Sequence, residues 1–280
     1  MVHANLTRGL GGQGVPGAHV MKLNYSSLQH AVLPVEDGGS AISVRPGAPA
    51  GVISLHGQLA PLCWAYAQAG GTRLGFVQTA GGALPGGHSR VVRELRERGL
   101  LAGFLTAGPA YGGEGEAMST AGAVAHGLNE LGWESVVCGP GPGIIGSASA
   151  LGHGGMAALD SAHAAAALGC EVVLCPRMSS GDERPRHRGL SHHSQTVLSL
   201  LLVPVTVPLP EGVPELADLT GGPHVAEHRV ARHAADLAGY AASGLPARTM
   251  GRSIDQDEWF FAAALAAGGA LAPRGQASDV

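Results

Sequence analysis

The feature that most constrains this chain is a repeated pattern rather than a repeated sequence. Four times, a short apolar run is followed by a glycine-rich turn and then by a stretch of helical period. "GVISLH" (51–56) leads into "GQLAPLCWAYAQAG", "RLGFVQT" (73–79) into "SRVVRELRERG", "LAGFLT" (101–106) into "EAMSTAGAVAHGLNELG", and "SVVC" (135–138) into "SASALGHGGMAALDSAHAAAALG". A fifth run, "EVVLC" (171–175), opens into a charged stretch instead. Strands that alternate with helices are parallel strands joined by crossovers. The expected fold is therefore α/β: a doubly wound, mostly parallel sheet in three layers, Rossmann-like, over residues 51–272.

"VPVTVP" (203–208) adds a strand, and its prolines, which cannot donate to a ladder, place it at a sheet edge. Residues 1–50 break the pattern. "VMKLNYSSLQHAVLPVED" (20–37) alternates apolar and polar residues in places and predicts a short amino-terminal β element or arm. "GPHVAEHRVARHAADLAGYAASG" (222–244) and "DEWFFAAALAAGGALA" (257–272) predict two closing helices, the second started by the capping pair Ser253 and Gln256. Residues 273–280 are expected to fray as a disordered tail.

Glycine supplies 45 of the 280 residues, more than twice the usual share of about 7%. These glycines fall between the runs, where a doubly wound sheet gathers its ligand-binding loops at the carboxyl ends of the strands. A formal charge of −4 argues against a nucleic-acid partner, which needs a basic face, and 4% aromatic residues leave no platform for base stacking. "LSLLLVPVTVPL" (198–209) is too short and too broken by proline to span a bilayer, and the amino terminus has no signal-peptide character. A cytoplasmic protein without a membrane partner is expected. Cys63, Cys138, Cys170 and Cys175 form no C-x-x-C pair and read as small buried residues of a reducing compartment. Assembly of the chain with copies of itself is left open.

Charge is scarce, at 14% of residues, yet "ERPRHRGLSHHSQT" (183–196) concentrates arginine and histidine. The stretch follows the last central strand, so Arg177, Asp182, Arg184, Arg186, His187, Arg188, His192 and His193 are expected in one long loop at the ligand edge. Arginine forks hold phosphate or carboxylate in bidentate fashion, and Arg177, Arg184 and Arg188 are candidates for that. Asp182, His187 and His193 contain the ligand types for a divalent metal, a second reading of the same loop; a solvated charged loop is the third. Adjacent histidines diverge in regular structure, so one of His192 and His193 is expected to face the site.

Other loops offer partners. "CGPGPGIIGSASALGHGG" (138–155) opens a helix, where backbone N–H groups and the dipole attract anions, with Gly141, Gly143 and Ser147 as candidate contacts. Its spacing fits neither G-x-G-x-x-G nor a P-loop. His56 and Gln58 in "SLHGQLAP" stand at the mouth of the sheet; His56 is either a general base or a histidine satisfied within a turn. "GFVQTAGGALPGG" (75–87) and "GFLTAGPAYGG" (103–113) are similar loops that bring Thr79, Thr106 and Tyr111 toward one place. Glu114 is the candidate catalytic carboxylate of the next segment, whereas Glu116 is expected to complement a helix dipole. "HVAEH" (224–228) sets two histidines at i, i+4, read as a solvated helix face.

The set "VMKLNYSSLQHAV", "SLHGQLAP", "TAGGALP", "AYGGEGEA", "CGPGPGIIGSAS" and "RHRGLSHHSQTVL" resembles a bacterial family known as domain of unknown function 3866. The likeness runs from about Leu10 to Gly251, and "RHRGLSHH" is its most specific piece. It implies a longer amino-terminal portion in most members, so this chain is expected to be a shortened form. Where the family carries Gly-Thr-Gly-Thr this chain has Ile145-Gly146-Ser147-Ala148, and Glu114 stands where an Asp is usual. The family name implies no reaction. Two functions stay open: an enzyme acting on a small anionic molecule, with His56 or His192 as acid/base group and Glu114 or Asp182 as its orienter or a metal ligand, or a ligand-binding module that senses without turnover.

Overall fold

The computed structural model describes residues 16–39, 41–213 and 222–273. Two short antiparallel strands come first, β1 (Val20–Lys22) and β2 (His30–Val32), with Val20 opposite Val32. The main sheet is built from β3 (Pro49–Val52), β4 (Leu74–Thr79), β5 (Gly103–Ala107), β6 (Gly115–Ala117), β7 (Ser135–Pro140) and β8 (Glu171–Leu174). A small hairpin of β9 (Met178–Ser179) and β10 (Gly189–Leu190) intervenes before β11 (Thr206–Pro210) and β12 (Arg229–His233) complete the sheet. A last antiparallel pair, β13 (Arg248–Thr249) and β14 (Arg252–Ser253), stands apart from it.

The eight strands run in the order β12-β11-β8-β3-β7-β4-β5-β6, and every neighbouring pair is parallel. From β3 the chain skips one place to β4 and moves outward through β5 and β6, then returns to β7 and crosses to β8, β11 and β12 on the other side. The winding reverses at β3 and β7, and the loops leaving these strands open a crevice between them.

Both faces of the sheet are covered at its centre, which is why β3, β7 and β8 are nearly continuous apolar runs. Val136 and Cys138 point into one core with Val172 and Leu174, under α3 (Thr120–Asn129), α4 (Ala157–Ala167) and α5 (His192–Leu200). Val137 and Val173 point into the other with Phe76 and Phe104, under α1 (Leu59–Gln68), α2 (Arg90–Glu97) and α7 (Glu258–Leu271). Packing is close enough to require glycine within a strand. An added Cβ on Gly75 would overlap the Trp133 indole. Gly75→Ala is expected to cost about 1–3 kcal/mol by overpacking, read as a lower urea midpoint. An unchanged midpoint would mean that the indole moves aside freely.

The amino-terminal arm is tied to the far edge of the sheet. Lys22 is buried, and its ammonium donates to Ala110 O at 2.7 Å, Thr106 O at 3.3 Å and Glu116 Oε2 at 2.7 Å. Glu116 also accepts from Thr106 Oγ1 at 2.7 Å and Gly112 N at 2.7 Å. It thus anchors the arm rather than complementing a helix dipole; Ser119 caps α3. Nearby, Pro34 forms a parallel bridge with Glu116 on the open side of β6.

Three expectations are corrected. Strand β11 is not an edge strand, because β12 pairs with it from Thr206↔Arg229 to Pro210↔His233. The prolines act on its other side, where pairing with β8 is limited to Thr206↔Val173. Residues 222–244 are not one helix: a short 3-10 turn, strand β12 and α6 (Leu237–Ala242) divide them. His224 and His228 consequently share no helix face, and His228 is buried, bonding Leu198 O at 2.9 Å and Val205 N at 3.3 Å. The pair Ser253 and Gln256 does form a capping box, on the 3-10 turn that leads into α7. Apart from Pro273, the expected frayed tail lies outside the described residues.

Candidate functional site

After β8 come Cys175 and Pro176, and the chain then runs through a loop anchored by two buried carboxylates, Asp257 and Asp182. Asp257 accepts from Ser179 Oγ at 2.8 Å, Ser180 N at 2.9 Å and Arg252 Nε at 2.9 Å. Asp182 takes the Arg184 fork, Nε on Oδ1 at 2.9 Å and Nη2 on Oδ2 at 2.8 Å, and Arg252 reaches Oδ2 at 3.3 Å. The hydrogen bonds from Arg184 hold the Asp182 carboxyl well below its ordinary range. Arg188 is turned to the backbone, donating to Asp182 O at 2.9 Å.

Arg177 is the most buried of the loop's arginines, 3% exposed. Its Nη1 donates to His193 Nδ1 at 2.9 Å, while its Nε is buried without a partner. Burial first, and then the neighbouring Arg184, pull its guanidinium down to about 10. A guanidinium so placed gains from any anion brought beside it.

Serine 191 caps α5 with its hydroxyl on His193 N, so His192 and His193 are the helix's first two residues. Contrary to the expectation that one of the pair turns away, their ring centroids are 4.4 Å apart. His187 completes one side, 4.9 Å from His192 and 5.0 Å from His193. His153, from the loop after β7, stacks on His193 at 3.9 Å and meets His192 edge-on at 5.5 Å. His187 Nδ1 is occupied by Ser191 Oγ at 2.7 Å, whereas both ring nitrogens of His153 and Nε2 of His192 are buried without a partner. All four imidazoles are held neutral, by burial first, and Arg177 disfavours the proton at each; His187 is lowered to about 3.

Next to this cluster is a cleft of about 150 Å³, walled by Arg177, Arg184, Arg186, His187, His193 and the loop 144–147. It lies at the crevice where the winding reverses. Ser147 lines it from an exposed turn, its Oγ bonded to Ser149 Oγ at 2.8 Å. Helix α4 starts later, at Ala157, so the expected seat on its amino terminus is not formed by Gly141, Gly143 and Ser147. Gly141 packs against the Gln78 amide and Gly143 makes a left-handed turn, φ +89°.

The other sequence candidates lie outside the cleft lining. His56 is buried with both nitrogens engaged, Nε2 with Ser89 Oγ at 2.8 Å and Nδ1 with Pro140 O at 3.3 Å. Gln58 accepts from Ser54 N and Leu55 N at 3.1 Å each and donates to Pro176 O at 3.1 Å, tying the end of β3 to that of β8. Thr79 is buried with Oγ1 unpartnered. Thr106 serves Glu116, and Tyr111 packs on His30 at 5.4 Å. Glu114 is exposed and engaged by Arg96 Nε at 2.7 Å and Phe104 N at 3.1 Å. Of the candidate metal set, Asp182 is taken by arginines and His187 by Ser191, leaving His193 in the cluster. The residue missed is His153, whose signal was a lone histidine at the carboxyl end of the loop 141–155, directly before a helix.

An α/β sheet with a cationic, histidine-rich crevice at its switch point defines the class of protein this is. The chain belongs to the family described as Protein of unknown function (DUF3866), whose model matches residues 1–268. No curated protein and no solved structure matches it. Among the described residues no helix is long and apolar enough to cross a membrane.

Proposed function

We propose that the chain binds a small molecule bearing phosphate or carboxylate in the cleft beside Arg177. The observation that carries this reading is the lining: three guanidiniums and two imidazoles face the space, and no carboxylate does. Asp182 is committed to the arginines: it takes the Arg184 fork, with Arg252 Nη2 at 3.3 Å and Arg177 Nη2 at 3.8 Å from its Oδ2. The ligand's anion would take the unpartnered Nε of Arg177 and the fork of Arg186, which suits two-oxygen recognition, with the charge of Arg184 beside them. His192, neutral and with Nε2 unpartnered, is the group that would draw a proton from water or a hydroxyl in a hydrolysis or group transfer.

A specific observation favours a second reading, binding without turnover. Ser191 and Ser194, the hydroxyls beside the histidines, are buried and do not line the cleft, so neither presents its Oγ to a ligand there as a nucleophile. Product formation at catalytic protein concentrations would decide for the enzyme. Binding itself is tested by calorimetric titration with inorganic phosphate, a sugar monophosphate and a dicarboxylate at low ionic strength. Saturable binding of at least one is expected, weakened on the order of 100-fold in Arg177→Met, the cost of removing one member of a buried charged pair. Equal affinity in the variant, or no binding of any of the three, would refute the site.

A further inference from the structure

We propose that His153, His192 and His193 form a binding site for one divalent transition-metal ion of the zinc or cobalt kind. One ring nitrogen from each lies within 4.8 Å of the other two. Two separate segments supply them, the loop after β7 and the start of α5, so the convergence is not a by-product of one helix face. Three of their nitrogens, both of His153 and Nε2 of His192, are buried with no hydrogen-bond partner. A buried polar atom left unpaired is destabilising, and a ligated ion removes that cost.

The donor set selects the ion. Imidazole nitrogen without carboxylate suits zinc, cobalt, nickel and copper, whereas magnesium and calcium require oxygen. Bonds of about 2.0–2.1 Å in a tetrahedral site set neighbouring nitrogens about 3.3 Å apart, so the rings close inward by side-chain rotation. Three protein ligands leave a position for water.

Ligation also changes Arg177. His193 Nδ1 now accepts from Arg177 Nη1, which places the proton of the neutral ring on Nε2. If the ion takes Nε2, that proton moves to Nδ1 and Arg177 loses its acceptor; if it takes Nδ1, Arg177 is displaced directly. Either way the guanidinium is released toward the cleft. This metal site does not depend on the anion reading, takes His192 out of the acid/base role when it is filled, and is tested without any anion.

The experiment is titration of the full chain, stripped by chelator, with Co²⁺ in a non-coordinating buffer, followed by visible absorption and by thermal unfolding. One equivalent is expected to give a ligand-field band and raise the Tm, and Zn²⁺ is expected to abolish the band by displacement. His153→Ala and His192→Ala should each weaken binding on the order of 100-fold, whereas His88→Ala, at an exposed histidine, should not. Absence of both the band and the Tm shift in the unaltered chain would overturn the proposal without reliance on any variant. Binding that survives both cluster variants would overturn it as well.

Discussion

Replacing Glu116 by Ala is expected to cost about 3–5 kcal/mol of folding stability, the range for removing one partner of a buried ion pair. The Lys22 side chain is only 1% exposed, so its ammonium would keep two backbone carbonyls and lose its counter-charge. Thr106 Oγ1 and Gly112 N would lose their acceptor in the same step. For a chain of this length the Tm should fall by roughly 10 °C. The double variant Lys22→Met, Glu116→Leu separates the ion pair from its surroundings. With both charges gone it should be more stable than Glu116→Ala alone, because replacing a buried pair outright costs less than breaking it. A Glu116→Ala protein within 1 kcal/mol of the original would show that Lys22 finds water or another partner.

The second large effect is a dependence on pH. Burial pushes His56 from 6.5 down to about 4, its hydrogen bond to Pro140 O offsetting part of the shift. The unfolded chain takes up the proton first as pH falls. The stability His56 contributes is therefore fully present above pH 6.5 and lost as pH drops to about 4. At about 1.4 kcal/mol per pH unit the loss amounts to about 3 kcal/mol. Urea unfolding at intervals between pH 7 and 4 should show His56→Gln falling less steeply, by the equivalent of one proton, while the four imidazoles of the cluster beside the cleft keep the remaining slope. Equal slopes would mean that His56 accepts a proton within the fold.

The strands that were legible in the sequence are those buried on both faces. "SVVC" and "EVVLC" read as β7 and β8 because nothing polar interrupts them. Residues 229–233 were not legible, since "HVAEHRVARHA" spaces its apolar residues as a helix does. They become a strand because β11 offers a free ladder, a pairing no local window contains. The site was half legible. Cations in a chain otherwise poor in charge marked the loop after β8, where Arg177 and Arg184 gather around Asp182. His153 joins from a different loop, so its part follows from the crossing of strands rather than from its neighbours. Successive side chains diverge by about 100° on a helix, yet His192 and His193 share one cluster because His153 and His187 each reach both rings.

The bridge between Pro34 and Glu116 has a consequence for how copies of the chain behave together. Strand β6 ends the sheet, and an edge strand with free N–H and C=O groups is a template for adding another strand. Pro34 occupies that place with a residue that has no N–H to extend the ladder, and the Lys22 anchor keeps the arm there. The arm thus works as a terminator against edge-to-edge polymerisation. Loosening it would expose the strand to aggregation before the crevice on the other side of β5 and β4 was disturbed.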